Sequence, residues 1–555
     1  MSTNVPLWKQ ALRSGAIGGA IVIFLALVGV IETFSQRYVV SGVITMSQIF
    51  LLLPLLLFGY TTIRKGQKSS TVTALLHGAL SGLAGGFIIA VLVLIGGYVN
   101  LNAMFFNASP ILYKLLTFNV ENIYAGLAVL FVVGAIAGAL GAAMTLFPER
   151  VLKALIPALV WMLVLGLMRD LLMTVVKRWG PVQNLVDWIF AKNGMSVIGA
   201  LVIFLLIAGL TYWRSGRKIS QQGKVAPPQT MKMRIATWLV SAVVLLFLPI
   251  IMGQFFSEIL DNVGLYILMG LGLNIVVGYA GLLDLGYVAF FAIGAYTVGV
   301  LTSPELGGVL TFWQALPFAL LAVVVAGVIL GTPVLKMRGD YLAIVTMGFG
   351  EIIRLMALSD WLRPWLGGAQ GIQQIASPMI GSFALYTQTH LYYMIVVAIG
   401  IVAFITWRLK DSHVGRSWMA LREDEDVAQA MGINLVATKL MAFASGAFFA
   451  GLSGAIFAAK LHSAYPFSFN LLVSINVVAL IIVGGMGSIP GVFIGAFALM
   501  GSPDLLREFA EFRYMIYGAV LVIMMLMKPE GLWPEERRKL ELHEEEMSSA
   551  EQAGD

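Results

Sequence analysis

Two polar side chains, Asn274 and Asp284, stand ten residues apart inside an otherwise apolar stretch, GLYILMGLGLNIVVGYAGLLDLGYVAFFAIGAYTVGVL, residues 264–301. The same stretch holds Gly270, Gly272, Gly278, Gly281, Gly286, Gly294 and Gly299. A helix that only faces lipid needs none of these. Glycine lets helices approach closely, or lets the backbone break where protein or water satisfies the freed groups. An intramembrane carboxylate is costly and tends to line a cavity or meet a partner. Two readings follow: a helix–helix packing seam, or one wall of a path for a solute. The wall is preferred because of what lies downstream, and it would include Asn274, Gly278, Gly281, Asp284 and Tyr287.

Three later features carry comparable information. In LKMRGDYLAIVTMGFGEIIRLM, residues 335–356, Glu351 and Arg354 sit three apart, on one helical face where they can pair. Mutual pairing is the simpler account of this acid, and substrate contact is the other. In GRSWMALREDEDVAQAMGI, residues 415–433, Ser417 suits a helix N-cap and Gly432 the position after its end. Trp418, Leu421, Ala428 and Met431 fall on one face there, while Glu423, Asp424, Glu425 and Asp426 form an acidic cluster. Interfacial helices usually carry Lys and Arg on their polar face, so four consecutive acids favour a protein partner over anionic lipid. In LIIVGGMGSIPGVFIGAFAL, residues 480–499, the run Gly484, Gly485, Met486, Gly487 before Pro490 implies a tight reversal or a broken helix beside a cavity. Gly484 and Gly485 therefore join the expected path.

None of this is catalytic chemistry. The chain has no G-x-x-x-x-G-K-[ST] loop to cradle ATP phosphates and no H-E-x-x-H zinc motif. His77, His390, His413, His462 and His543 are scattered without ligand spacing, and cysteine is absent, which excludes disulfides and thiolate metal sites. No metal, no cofactor and no catalytic residue is expected.

The elements that must position these residues are membrane spans. The chain is 59% hydrophobic and 12% charged, where soluble domains carry about 25% charged residues. Repeated apolar runs of about 20 residues match a hydrocarbon core about 30 Å thick, and no short alternating strands of a barrel are evident. The fold class is all-α, polytopic and integral to the membrane. Six spans are expected in the first part, near 14–34, 43–63, 73–97, 121–145, 151–171 and 195–213. The first is a retained span, not a signal peptide, because Glu32-Thr33-Phe34 follows it where a small-residue cleavage site would lie. Gly15/Gly19, Gly78/Gly82 and Gly134/Gly138 are small-xxx-small pairs that predict close helix packing. Arg169 and Asp170 read as an interfacial pair.

A polar, basic stretch with Pro227-Pro228, residues 214–234, reads as a cytoplasmic linker between domains. The second part, residues 235–535, starts a fresh set of about eight to ten spans, near 235–253, 259–279, 286–302, 314–332, 391–408, 436–459, 471–487, 489–502 and 513–528. Residues 536–555 form a charged tail. Lys9, Arg13, Arg64, Lys65, Lys68, Arg150, Lys153, Arg214, Arg217 and Lys218 all fall on one side if the N-terminus is cytoplasmic, although Lys177, Arg178 and Lys192 blur the bias. The net charge of +6 is therefore the positive-inside pattern and no signal for nucleic acid.

Four segments in this order, GLGLNIVVGYAGLLDLGYVAFFAIGAYT, RGDYLAIVTMGFGEIIR, GRSWMALREDEDVAQAMGI and VGGMGSIPGVFIGA, resemble the branched-chain amino-acid permease family of bacterial ABC importers. The likeness covers about residues 235–535 and is greatest to the second permease of the heteromeric pair. It implies a membrane subunit in the bacterial cytoplasmic (inner) membrane, with both termini cytoplasmic. Its implied partners are P-loop ATP-binding subunits, a homologous permease and an extracytoplasmic substrate-binding protein. It also implies a coupling helix over Gly415 to Gly432, including Arg416, Arg422, Glu423, Asp424, Glu425 and Asp426, that docks on an ATPase. Where relatives have LSLGH, this chain has Asp284 and Tyr287 in LDLGY, which leaves urea or short amides beside branched-chain amino acids as substrates. A secondary transporter or channel without ATP is the alternative from another class. Residues 1–213 lie outside the resemblance.

Overall fold

The computed structural model describes residues 6–64, 71–169, 172–173, 186–191, 193–219, 245–334, 337, 339–502, 511–528 and 530–535. The expected tail 536–555, most of the linker 214–234, Asp170, and the basic residues Lys65, Lys68, Lys177, Arg178, Lys192, Lys336 and Arg338 lie outside them. Eleven helices among the described residues are long and apolar enough to cross a membrane. The chain is an all-α polytopic membrane protein. It divides into two compact units, Met1–Pro228 and Gln229–Asp555.

The first unit holds α1 (Leu7–Leu27), α2 (Met46–Arg64), α3 (Thr71–Tyr98), α4 (Ile123–Met144), α5 (Glu149–Leu167) and α6 (Val197–Ile219). The first span begins and ends about two turns earlier than the expected 14–34. Gly29, at φ +96°, stops it in a left-handed conformation, and only a one-turn helix, Val30–Thr33, follows. Helix α6 continues to Ile219, through the first residues of the expected linker. The three glycine pairs lie where α3 is gripped between α1 and α4. A methyl group on Gly82 would overlap the Gly134 carbonyl, one on Gly138 the Gly78 carbonyl, and one on Gly15 the Ser81 carbonyl. Val22, Leu51, Leu55, Ile89 and Leu130 fill the space around that seam. A small sheet, in the order Ile44–Thr45, Tyr38–Val40, Gly194–Met195, Phe190–Ala191, ties two connecting segments together. Arg169 donates to the Ala191 carbonyl at 2.7 Å, beside that sheet.

The second unit runs through α7 (Gln254–Leu273), α8 (Val288–Thr302), α9 (Phe312–Val334), α10 (Asp340–Leu358), α11 (Gln388–Lys410), α12 (His413–Glu423), α13 (Glu425–Ala430), α14 (Leu435–Leu461), α15 (Leu471–Gly484), α16 (Ile489–Ala496) and α17 (Arg513–Met527). Of the expected span 235–253, residues 235–244 lie outside the described residues. Helices α7, α8 and α14 form the centre. Glycines again set the approach, since a methyl group on Gly294 would overlap Gly451 and one on Gly454 would overlap Phe291. Phe291, Phe457 and Phe469 pack ring to ring there with centroids 5.0–6.0 Å apart.

Candidate functional site

Helix α7 does not end cleanly. It runs on into a π turn, Asn274–Tyr279, and the chain then continues without helix until α8. Three contacts explain the break. The Asn274 side chain accepts a hydrogen bond from the Gly487 N–H at 2.8 Å, so the loop after α15 docks on the π turn. Gly278 makes room for that loop, because a methyl group there would run into Asn274 and Gly487. Arg422, near the end of α12, donates to the Gly278 carbonyl at 3.0 Å and satisfies one of the groups the break has freed. Gly281 adopts φ +71° with Arg422 directly against it, a conformation and a clearance that glycine supplies.

Beyond the break, the Asp284 carboxylate accepts from the Gly286 N–H at 2.9 Å, and Thr346 of α10 accepts from the Leu285 N–H at 3.0 Å. The second oxygen of Asp284 has no hydrogen-bond partner among the described residues. Asn274, Asp284 and Tyr287 are all fully buried. A carboxylate at mid-bilayer costs about 2.5–3.5 kcal/mol on insertion scales, which a site closed off from lipid helps to offset. Tyr287 is bound into the core: its hydroxyl donates to the Gly446 carbonyl of α14 at 2.7 Å. The sequence-selected residues therefore divide. Gly278, Gly281, Arg422 and Glu423 meet, with Val277, Leu283 and Met486, around one cavity of about 370 Å³. Asn274 ties the π turn to the glycine loop, and neither Asp284 nor Tyr287 lines the cavity.

The glycine loop is a tight reversal. Gly485 and Gly487 take φ +122° and +82°, and Gly484 packs directly on Gly491 of α16. The C-terminal segment lies across it, with Leu532 and Trp533 donating to the Val483 and Gly484 carbonyls at 2.8 and 2.9 Å. Glu535 then pairs with Lys410 at the end of α11.

Residues 255–525 match the family described as branched-chain amino acid transport system / permease component. The permease protein LivM of the high-affinity branched-chain amino acid transport system of Salmonella typhimurium is 33% identical over 382 residues, covering 64% of this chain and 87% of that protein. Its Escherichia coli counterpart is 34% identical over 384 residues, with the same coverage. The chain belongs to this permease family. A weaker relative of the permease, LivH of the Salmonella typhimurium system, is 24% identical over 194 residues, covering 33% of this chain and 62% of LivH. No solved structure matches the permease.

The segment expected to be one helix from Gly415 to Gly432 is two. Helix α12 starts at His413 and is capped by Ser412, which accepts from the Gly415 N–H at 3.2 Å. Ser417 lies within the helix, its hydroxyl turned back onto the His413 carbonyl. At Asp424 the backbone becomes extended and the same residue caps α13, accepting from the Asp426 and Val427 N–H groups at 2.8 and 3.0 Å. Trp418, Leu421 and Ala428 are buried as the pattern implies, but Met431 is 79% exposed because the kink at Asp424 turns it outward. Gly432 does close the segment, at φ +86°.

The acids are also more occupied than a docking cluster requires. Glu423 pairs with Arg422 at 2.9 Å, and Glu425 pairs with the buried Lys439 of α14 at 2.8 Å. Arg416 holds the Asp411 carbonyl. Lys439, Thr346 and Lys410 carry no signal in the sequence, because the partner of each lies in another element. Gly487 was visible in the Gly-Gly-Met-Gly run but carried no hint of its partner.

Proposed function

We propose that the permease forms half of the membrane path of an ATP-driven importer for branched-chain, hydrophobic amino acids. The observation that carries this reading is one-third identity, over 87% of their length, to two proteins named for high-affinity branched-chain amino acid transport. The weaker likeness to LivH supports a homologous partner permease. On this reading, P-loop ATP-binding subunits hydrolyse ATP and an extracytoplasmic binding protein delivers substrate. The permease sits in the bacterial inner membrane with both termini cytoplasmic, as the basic flanks favour.

The geometry supports a route for the coupling. Helices α12 and α13 leave the spans and return, so an ATPase that moves them moves Arg422. Arg422 holds the Gly278 carbonyl, and the non-helical stretch after it gives way more easily than a continuous helix. Thr346 and Gly286 pass the displacement on to α10. Asn274, Gly278, Gly281, Asp284, Gly484 and Gly485 thus act at the hinge of the path wall, and residues 235–535 form the translocation unit.

The test is reconstitution of the permease with its ATP-binding subunits, a LivH-like permease and a binding protein in proteoliposomes. Radiolabelled leucine should accumulate only with ATP, and excess valine or isoleucine should compete while urea does not. Uptake without ATP, or competition by urea alone, would replace this reading with the channel or the amide importer.

A further inference from the structure

Helix α10 carries charge where a lipid-facing helix should have none. Its apolar span, Tyr341–Leu358, has 18 residues. Glu351 lies ten residues in, so about 15 Å along the axis, near the middle of a hydrocarbon core about 30 Å thick. Yet the side chains of Glu351 and Arg354 are 45% and 23% exposed. They stand on the face that the rest of the unit leaves uncovered, in one stripe with Tyr341, Ile344, Met347 and Leu355, all exposed. The opposite face packs Thr346 against the break before α8.

The two charges bind each other. Arg354 Nε donates to both Glu351 oxygens at 3.0 and 3.1 Å, and Nη2 also meets Oε1. Pairing lowers the cost of the charges but does not make hydrocarbon a suitable surrounding, since charged groups in spans face protein or a water-filled cavity. Gly348, one turn before Glu351, leaves open space beside the pair. The Nη1 edge of Arg354 is engaged by no described residue. A small group carrying both signs of charge fits such a place.

We propose that Glu351 and Arg354 form a substrate subsite on the path: Glu351 takes the ammonium and Arg354 the carboxylate of a zwitterionic amino acid. The stripe around the pair then faces the path shared with the partner permease, and its apolar members meet the substrate's side chain. This inference rests on the importer reading above and gives that reading a binding site. It also places the subsite on the helix that the hinge moves, through Thr346.

The chain has no cysteine, so an introduced cysteine is its one thiol, and labelling is read on this chain after the subunits are separated. In the reconstituted complex, Met347→Cys and Ile344→Cys should react with a charged, water-soluble methanethiosulfonate, and leucine should protect them. Phe404→Cys, on an exposed face of α11, should not react. These variants leave the pair intact. Glu351→Gln and Arg354→Gln should each raise the KM for leucine about tenfold or more, as loss of a charge-assisted contact does. The reversal Glu351→Arg with Arg354→Glu should restore membrane levels without restoring KM. If the two stripe cysteines are as inert as Phe404→Cys, or the reversed pair transports with the original KM, the subsite is wrong and the importer reading stands. If the unaltered complex takes up no leucine with ATP, the importer reading itself fails.

Discussion

Glycine does opposite work at the helix seam of the first unit and at the break in the second. In the first, Gly15, Gly78, Gly82, Gly134 and Gly138 bring intact helices into backbone contact, with carbonyls lying where a methyl group would be. In the second, Gly278, Gly281, Gly485 and Gly487 stand where the backbone has left the helix, and a side chain or N–H from elsewhere takes up the freed groups. The first arrangement resists movement, because α3 is held on two sides along its glycine seam. The second contains a stretch with few hydrogen bonds of its own, gripped at one carbonyl by an arginine outside the spans. Glycine content is the same signal in both; what separates them is the polar partner.

Replacing one glycine from each set breaks or sharpens that contrast most strongly. Gly278→Val should keep the complex in the membrane but reduce uptake about a hundredfold or more, because it displaces the Gly487 loop from Asn274. Gly82→Val should leave uptake per molecule unchanged and instead lower the melting temperature of the purified chain, through overpacking worth about 1–3 kcal/mol. Uptake and thermal melting of both variants decide the matter, and equal loss of uptake in both would erase the distinction.

Lys439→Met probes how firmly α13 is fixed to α14. Lys439 is 2% exposed, and breaking a buried pair costs about 3–5 kcal/mol, less here because Glu425 is partly exposed. Uptake should fall about tenfold while the leucine KM is unchanged, a split that marks lost coupling in place of lost binding. Double replacement of Lys439 and Glu425 by Met and Leu should recover much of the loss. The smallest effect is expected from removing residues 1–220. A well-inserted truncate should retain ATP-dependent uptake within about twofold if the first unit stands outside the path, since separate domains keep their own cores.

Much of this was legible in the chain itself, for identifiable reasons. Hydropathy located the spans because hydrocarbon thickness fixes their length, and Glu351 with Arg354 could be paired on paper because the contact is local. Asn274 and Asp284 stood out because polar groups are rare in such a stretch. The cap of α12 is Ser412 and not Ser417 five residues on, since both fit the chemistry and only the turn after α11 chooses between them. The kink at Asp424 was hidden in an acidic run that reads equally well as helix. Contacts such as Arg422 to Gly278, 144 residues apart, leave no local trace at all.

The grip on the π turn also has a history in time. Asn274 emerges from the ribosome 213 residues before the N–H of Gly487 that it binds, and Gly278 emerges 144 residues before Arg422. At synthesis rates of about 5–20 residues per second, the first gap alone lasts about 10–40 s. For that interval the segment must wait in the membrane as a regular helix or with its backbone satisfied by passing water. The broken form is thus assembled late, when α12 and the glycine loop arrive, and a ribosome stalled between residues 300 and 420 would hold this span without either of those two contacts.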